Sequence, residues 1–233
     1  KRGLAPRVFL AMALANQEKV DEAIRTVRGA IALAEEGSGL HLQLGSLLQR
    51  RAQAYVKAEM HQSAYDTQKE AVEEWEKAGP AAEGPALGTL YHYLAVYAQT
   101  LNQWGEVLHA AERAVELHPE PGPGTLETLA MAQLAHGKID EAEAALAKLD
   151  AQEHVCPRSL SIRACTACLR GRLEEALHHL HGIEKLPLEH ADLPDVNLAH
   201  FKMLGACILD ALGRYEDAAD EYEECCRLAP EKP

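Results

Sequence analysis

Cys165-Thr166-Ala167-Cys168 places two thiols three residues apart, a spacing that occurs in zinc and redox sites. His178, His179 and His181 lie on the next segment and Cys207 on a later one, so nitrogen and further sulfur donors are in supply. Both cysteines of the pair, however, sit inside a helical pattern and lack the turn from which a zinc knuckle is built. The chain is neither short nor signalled for export, so a disulfide scaffold is not expected either. We therefore expect Cys156, Cys165, Cys168, Cys207, Cys225 and Cys226 to be reduced structural thiols, with no metal and no cofactor. The other histidines are dispersed. His118 and His136 fall near helix C-termini, where a cation is favoured.

A catalytic set is not expected. The chain contains no Gly-x-Ser-x-Gly, no His-Glu-x-x-His and no phosphate loop ending in Gly-Lys-Ser/Thr. Pro121-Gly122-Pro123-Gly124 is glycine-rich, but its prolines remove the amide donors that a phosphate cradle requires. The carboxylates follow helix faces and do not form converging pairs. An enzyme is thus the least favoured class.

Composition narrows the partners. The 233 residues carry 23 Lys+Arg against 36 Asp+Glu, a formal charge of −13, which argues against a nucleic-acid backbone as the main partner. Charge is uneven: residues 1–50 hold 7 basic and 5 acidic side chains, the remainder 16 and 31. The last helical stretch is the most acidic, with Glu216, Asp217, Asp220, Glu221, Glu223 and Glu224, and reads as a solvated face. The longest apolar run, Val8 to Ala15, is too short to span a bilayer. With no signal peptide in view, a cytoplasmic protein with no membrane partner is expected. The chain starts at Lys1, already within a helical pattern, which points to a piece of a longer protein.

The elements that position these residues come from an internal repeat. Six segments share small anchors at Ala23, Ala64, Val107, Ala142, Ala176 and Ala218, spaced by 41, 43, 35, 34 and 42 residues. Around each anchor, residues three before, four after and seven after continue one face of a 3.6-residue helix. A second amphipathic segment and a short turn precede each. Gly137, Gly171 and Gly213 suit the left-handed residue that closes a helix. The first three units have Asn16-Gln17-Glu18, Ala58-Glu59-Met60 and Asn102-Gln103 instead; Asn tolerates the same conformation, and the second unit has no residue that favours it. No alternating strand pattern appears. Segments 79–85, 121–124 and 187–194 break the array, and Pro121–Gly124 is expected to preclude helix and allow hinge freedom.

This pattern resembles the tetratricopeptide repeat family. The resemblance rests on Leu94-Ala95, Trp104, Val107 and Pro119 in the third unit, and on Leu204-Gly205, Gly213, Tyr215, Ala218, Tyr222 and Pro230 in the last. The family's leading Trp is replaced by Tyr91 or Leu126, and the last unit reads as having one extra residue between Gly205 and Gly213. Added length falls near Glu35–Leu40, Gly79–Pro85 and Leu186–Asp195, as in longer-repeat arrays of bacterial regulators. The expected fold is all-α: a right-handed superhelical solenoid of about six helix-turn-helix repeats. It would be one domain over 1–233, with repeats at about 3–38, 39–80, 84–119, 122–153, 157–188 and 193–230.

The resemblance implies that first helices line a concave groove for an extended peptide or a helix. Carried over unit by unit, the groove comprises Gln49, Gln53 and Lys57, then His92, Val96 and Gln99, then Glu127, Met131 and Leu134, then Ser161, Cys165 and Cys168, with Met203 and Cys207 in the last unit. It would be polar toward the N-terminal half and soft and apolar toward the C-terminal half. A carboxylate clamp of the chaperone-binding type is not expected, because only Lys57 fits one. The implied role is a protein-interaction scaffold, in a specific version the regulatory part of a larger bacterial protein. The alternatives are a homo-oligomer joined through uncapped repeat ends, and a small-ligand sensor domain of a transcription regulator.

Overall fold

Buried small residues set the architecture of the computed structural model, which describes residues 4–34, 39–186 and 195–228. Ala23, Ala64, Val107, Ala142 and Ala176 have no exposed surface, and Ala218 has 3 %. Twelve residues before each anchor stands a second alanine: Ala11, Ala52, Ala95, Ala130, Ala164 and Ala206, each with no exposed surface. Small side chains, alanine at all but Val107, let two helices approach closely at both positions. The second alanine also corrects the register of the last unit. Ala206, not Gly205, occupies the repeat position, so no extra residue is present there.

The described residues form twelve α-helices and no strand. They are α1 (Leu4–Asn16), α2 (Val20–Ile31), α3 (Leu40–Lys57), α4 (His61–Glu76), α5 (Pro85–Thr100), α6 (Trp104–Leu117), α7 (Pro123–Ala135), α8 (Ile139–Ala151), α9 (Pro157–Leu169), α10 (Leu173–Glu184), α11 (Asp195–Ala211) and α12 (Tyr215–Leu228). The all-helical repeat expected from the sequence is therefore present.

Within the hairpins, one turn geometry recurs six times. Glu18, Glu59, Asn102, Gly137, Gly171 and Gly213 adopt φ of 62°, 58°, 56°, 70°, 72° and 75°. The residue after each donates its N–H to the carbonyl five residues back. These bonds are Lys19 to Leu14 (3.0 Å), Met60 to Tyr55 (2.9 Å), Gln103 to Ala98 (3.0 Å), Lys138 to Gln133 (2.9 Å), Arg172 to Ala167 (2.8 Å) and Arg214 to Leu209 (2.9 Å). This is the Schellman closure of a helix C-terminus. The same six residues then accept the N–H of the six anchors, so one residue ends the first helix and starts the second. In the first unit the left-handed position falls on Glu18, not on Asn16, and in the second unit Glu59 takes it despite its Cβ.

Proline opens three helices. Pro85, Pro123 and Pro157 are the first residues of α5, α7 and α9, where the missing N–H would have had no intrahelical partner. The expectation that Pro121–Gly124 precludes helix is thus corrected: α7 begins inside that segment. The break at 79–85 holds a 3-10 turn, Pro80–Ala82, and Trp75 Nε1 donates to the Ala82 carbonyl at 3.0 Å. The breaks around 35–38 and 187–194, and Pro230, lie outside the described residues.

The chain divides into two compact units, Lys1–Ala132 and Gln133–Pro233, with the division inside α7. In the first, α2 packs on α3 and α4 on α5. Its core includes Ile24, Val27, Leu44, Leu47 and Leu48. Gly45 and Gly88, seven residues before Ala52 and Ala95, permit a close helix approach. A Cβ on Gly45 would lie 2.9 Å from the Ala71 carbonyl oxygen, and one on Gly88 3.1 Å from that of Ala114. Fully buried Gln68 donates from Nε2 to the Leu90 carbonyl at 2.8 Å, pinning α4 to α5.

In the second unit, α9, α10, α11 and α12 share a core of Leu177, Leu180, Ile183, Ile208 and Leu209. The junction of α8 with α9 is built differently, from charge. Arg163 clasps both carboxylate oxygens of Asp150 at 2.7 and 3.2 Å, while Glu143 receives Arg170 (2.9 Å) and Arg172.

Candidate interaction surface

Relative to the buried alanine of each first helix, the groove residues occupy three offsets: three before, one after, and four or five after. Helical geometry puts these on a single ridge, about a quarter-turn from the buried face. On α3, Gln49 and Gln53 are half-buried and Lys57 is exposed at the helix end. On α5, His92, Val96 and Gln99 are all half-buried. On α7, Met131 is half-buried but Glu127 is only 5 % exposed, so this carboxylate offers little surface.

The first unit brings two of these ridges together. Gln99 Nε2 on α5 donates to Met131 Sδ on α7 at 3.1 Å. A Cβ on Gly124, at the start of α7, would meet the His92 ring at 3.7 Å. His92 also lies against Tyr93 with ring centroids 5.6 Å apart, and Tyr93 against Tyr97 at 6.1 Å. Burial, and next the Tyr93 hydroxyl, push the Tyr97 phenol above its usual value, so it is a neutral donor at every physiological pH. The resulting patch joins an amide, a thioether, an imidazole and aromatic edges. Such a surface can hydrogen-bond a peptide backbone and pack against apolar side chains. Sequence reasoning did not include Tyr93, although it stands one residue from His92.

In the second unit, Leu134, Ser161, Cys165 and Cys168 are half-buried, while Met203 and Cys207 are exposed. Burial raises the thiol pKa of Cys165, and burial with the neighbouring Cys165 raises that of Cys168. Both therefore remain protonated at neutral pH, the form least suited to nucleophilic or metal chemistry. Cys207 Sγ lies 3.5 Å from the Tyr222 hydroxyl. Cys156 caps α9: its sulfur accepts the Ser159 N–H at 3.4 Å, and Ser159 Oγ accepts the Cys156 N–H at 3.0 Å. That pair is a capping box with sulfur in place of a hydroxyl.

A feature unanticipated from the sequence is a cleft of about 130 Å³ among α8, α9 and α10. Glu143, Asp150, Arg163, Arg172, Glu175 and His179 are among its lining residues. Burial foremost, and then Arg163, hold the His179 pKa below its usual value, so the ring is neutral at pH 7. The signal was present in the repeat: one residue after the anchor stand Ile24, Tyr65, Leu108 and Leu177, but Glu143 in α8. A charge at that otherwise apolar position opens the junction to water.

Residues 203–232 match the model of the tetratricopeptide repeat. No curated protein sequence matches the chain. Among solved structures, PilW, a widely conserved type IV pilus biogenesis factor, is 18% identical, with 100% of this chain and 96% of that one covered at a TM-score of 0.58. BtubC from P. vanneervenii is 16% identical, with 100% and 95% covered and a TM-score of 0.60. MamA from Desulfovibrio magneticus RS-1, residue 41 to its end, is 11% identical, with 81% and 97% covered and a TM-score of 0.59. These likenesses concern the fold.

Proposed function

We propose that this chain, a tetratricopeptide-repeat protein, is a protein-interaction scaffold that takes an extended peptide or an amphipathic helix along its first-helix ridges. The contact of Gln99 with Met131 carries the reading, because it links the ridges of adjacent hairpins into a continuous amphipathic strip. Gln49, Gln53, Lys57, His92, Val96, Gln99, Glu127 and Met131 form the strip of the first unit, with Glu127 beneath its surface. Leu134, Cys165 and Cys168 are the counterparts in the second, soft enough to adapt to different apolar side chains. Half-buried ridges suit peptide recognition, since most of the ordering cost is met before the ligand arrives.

Binding and not catalysis is the role this reading assigns, and the raised pKa of Cys165 and Cys168, which keeps those two thiols in the less reactive form, agrees with it. No helix among the described residues is long and apolar enough to cross a membrane. A cytoplasmic regulatory module within a larger bacterial protein fits this role. PilW, similar in fold, is a type IV pilus biogenesis factor.

The test is affinity capture from the source cell with the native chain and with a Gln53→Ala, Lys57→Glu, His92→Ala variant. Partners lost from the variant, at an unchanged melting temperature, support the strip. Identical partner lists would move the binding surface elsewhere.

A further inference from the structure

One residue after their anchors, Ile24 in α2 and Leu177 in α10 are buried in apolar cores. An apolar contact is indifferent to pH. In α8 the same place is taken by Glu143, which lines the cleft among α8, α9 and α10. Ion pairs hold the helices there. Arg163 of α9 binds Asp150, Arg170 at the end of α9 binds Asp140 and Glu143, and Arg172 binds Glu143 and Glu175. Three guanidiniums thus serve four carboxylates, and the strength of this junction depends on which groups are charged.

His179 is the group among them that titrates near neutrality. It is half-buried in the wall of the cleft, with Nε2 3.7 Å from Glu175 Oε1. Arg163 lines the same cleft from α9, Glu143 and Asp150 from α8, and Arg172 from the turn before α10. His178, its exposed neighbour on α10, has its ring centroid 6.1 Å away. The following hairpin brings its charges to other places on α10: Lys202 pairs with Glu184, and Arg214 lies 4.0 Å from Glu174. A proton on His179 acts in one direction. The Arg163 side chain is only 17 % exposed, so its repulsion of a second cation is weakly screened. Glu175 is 44 % exposed and already holds Arg172 at 3.1 Å, so its attraction for that cation is both screened and shared. Repulsion outweighs attraction, and Arg163 is the residue that ties α9 to α8, through Asp150 and, at 3.5 Å, the Leu146 carbonyl.

We propose that the α8–α9 junction is a proton-sensitive joint, in which a proton on His179 drives Arg163 off Asp150 and opens the cleft to water. The folded chain holds this proton less well than the unfolded chain, because burial first, and then Arg163, lower the pKa of the ring. The joint is therefore at full strength above the ordinary value of 6.5 and weakens as pH falls below it. α9 carries Ser161, Cys165 and Cys168, and Leu134 stands three residues before the Gly137 turn that leads into α8. Opening thus changes the spacing of the second-unit ridges, and this consequence alone rests on the proposed function.

Hydrogen exchange of the α8 amides in the whole chain, corrected for the intrinsic rate and followed from about pH 7.5 to about pH 5.5, tests this. Exchange in α8 is expected to rise several-fold relative to α2 in the native chain and to stay level in His179→Gln. His178→Gln, at the exposed neighbouring site, should behave as the native chain does. Proton NMR of the His179 ring gives a second, direct readout. Its titration midpoint should lie below the ordinary 6.5 and move up in Arg163→Gln. An α8 response that survives in His179→Gln overturns the proposal, and so does a ring midpoint that Arg163→Gln leaves unmoved. Partner capture at neutral pH reads the strip and not the joint, so the two readings fail separately.

Discussion

Glu59 and Gly171 close equivalent turns with nearly the same backbone, φ 58° and 72°, although only one of them has a Cβ. A left-handed conformation costs an ordinary L-residue about 1–2 kcal/mol, and glycine avoids most of this cost. Glu59 and Glu18 are tolerated because the closing hydrogen bonds, Met60 to Tyr55 and Lys19 to Leu14, over-determine the turn. Glu59→Gly should therefore stabilise the first unit by up to about 1 kcal/mol, after the extra chain entropy of glycine is subtracted. Gly171→Ala should destabilise the second by about 1 kcal/mol. Urea midpoints of the two variants moving in opposite directions would confirm the shared turn; both moving downward would refute it.

The anchors make a second prediction. Ala142 and Ala176 have no exposed surface. Leucine at either position inserts three heavy atoms into a closed helix contact and should cost about 1–3 kcal/mol by overpacking. Gly45→Ala should be costly for the same reason, because the new methyl would meet the Ala71 carbonyl oxygen at 2.9 Å, a rigid backbone atom. Melting temperatures that stay put in all three variants would show that these contacts are not close-packed.

Acid sensitivity should depend on Glu74. This carboxylate is 9 % exposed, and Lys77 Nζ and His41 Nδ1 lie 2.6 and 2.7 Å from its two oxygens. Burial alone would raise its pKa, but the hydrogen bonds from Lys77 and His41 outweigh burial and hold it below the ordinary 4.5. A carboxyl depressed in the folded state contributes stability above its unfolded pKa, and that contribution is lost as pH falls through the folded value. Stability should thus decline below about pH 4.5 more steeply in the native chain than in Glu74→Gln. Denaturant titrations at a series of acidic pH values decide it; parallel curves for the two proteins would remove Glu74 from the account.

Thiol reactivity should rank by exposure and burial. Cys207 and Cys226 are exposed, Cys225 is buried, and burial raises the pKa of both Cys165 and Cys168. Alkylation at neutral pH, followed by peptide mass mapping, should label Cys226 and Cys207 first and Cys165 among the last. Early labelling of Cys165 would mean that the second-unit ridge opens in solution.

Much of the fold was legible because it is local. Offsets of three, four and seven around Ala23 or Ala176 follow from the pitch of a helix and need no knowledge of its neighbours. Glycine at 137, 171 and 213 marks a left-handed residue for an equally local reason. The register at position 206 differs by one residue from the sequence expectation, because Gly205 and Ala206 are both small and both buried; the twelve-residue spacing to Ala218, shared by the other five units, places Ala206 at the repeat position. Of the candidate strip, the offsets were visible, but the burial of Glu127 and the approach of His92 to Gly124 were not.

Taken alone, the residue order determined that the chain is helical, that it repeats six times, and where each hairpin turns. Those properties depend on residues within a few positions of one another, and such interactions are encoded in spacing. Tertiary structure decided that Gln99 meets Met131 and that the α8–α9 junction is held by Arg163, Arg170 and Arg172. Each of these depends on contacts between different helices, whose side chains are aligned by packing and not by periodicity.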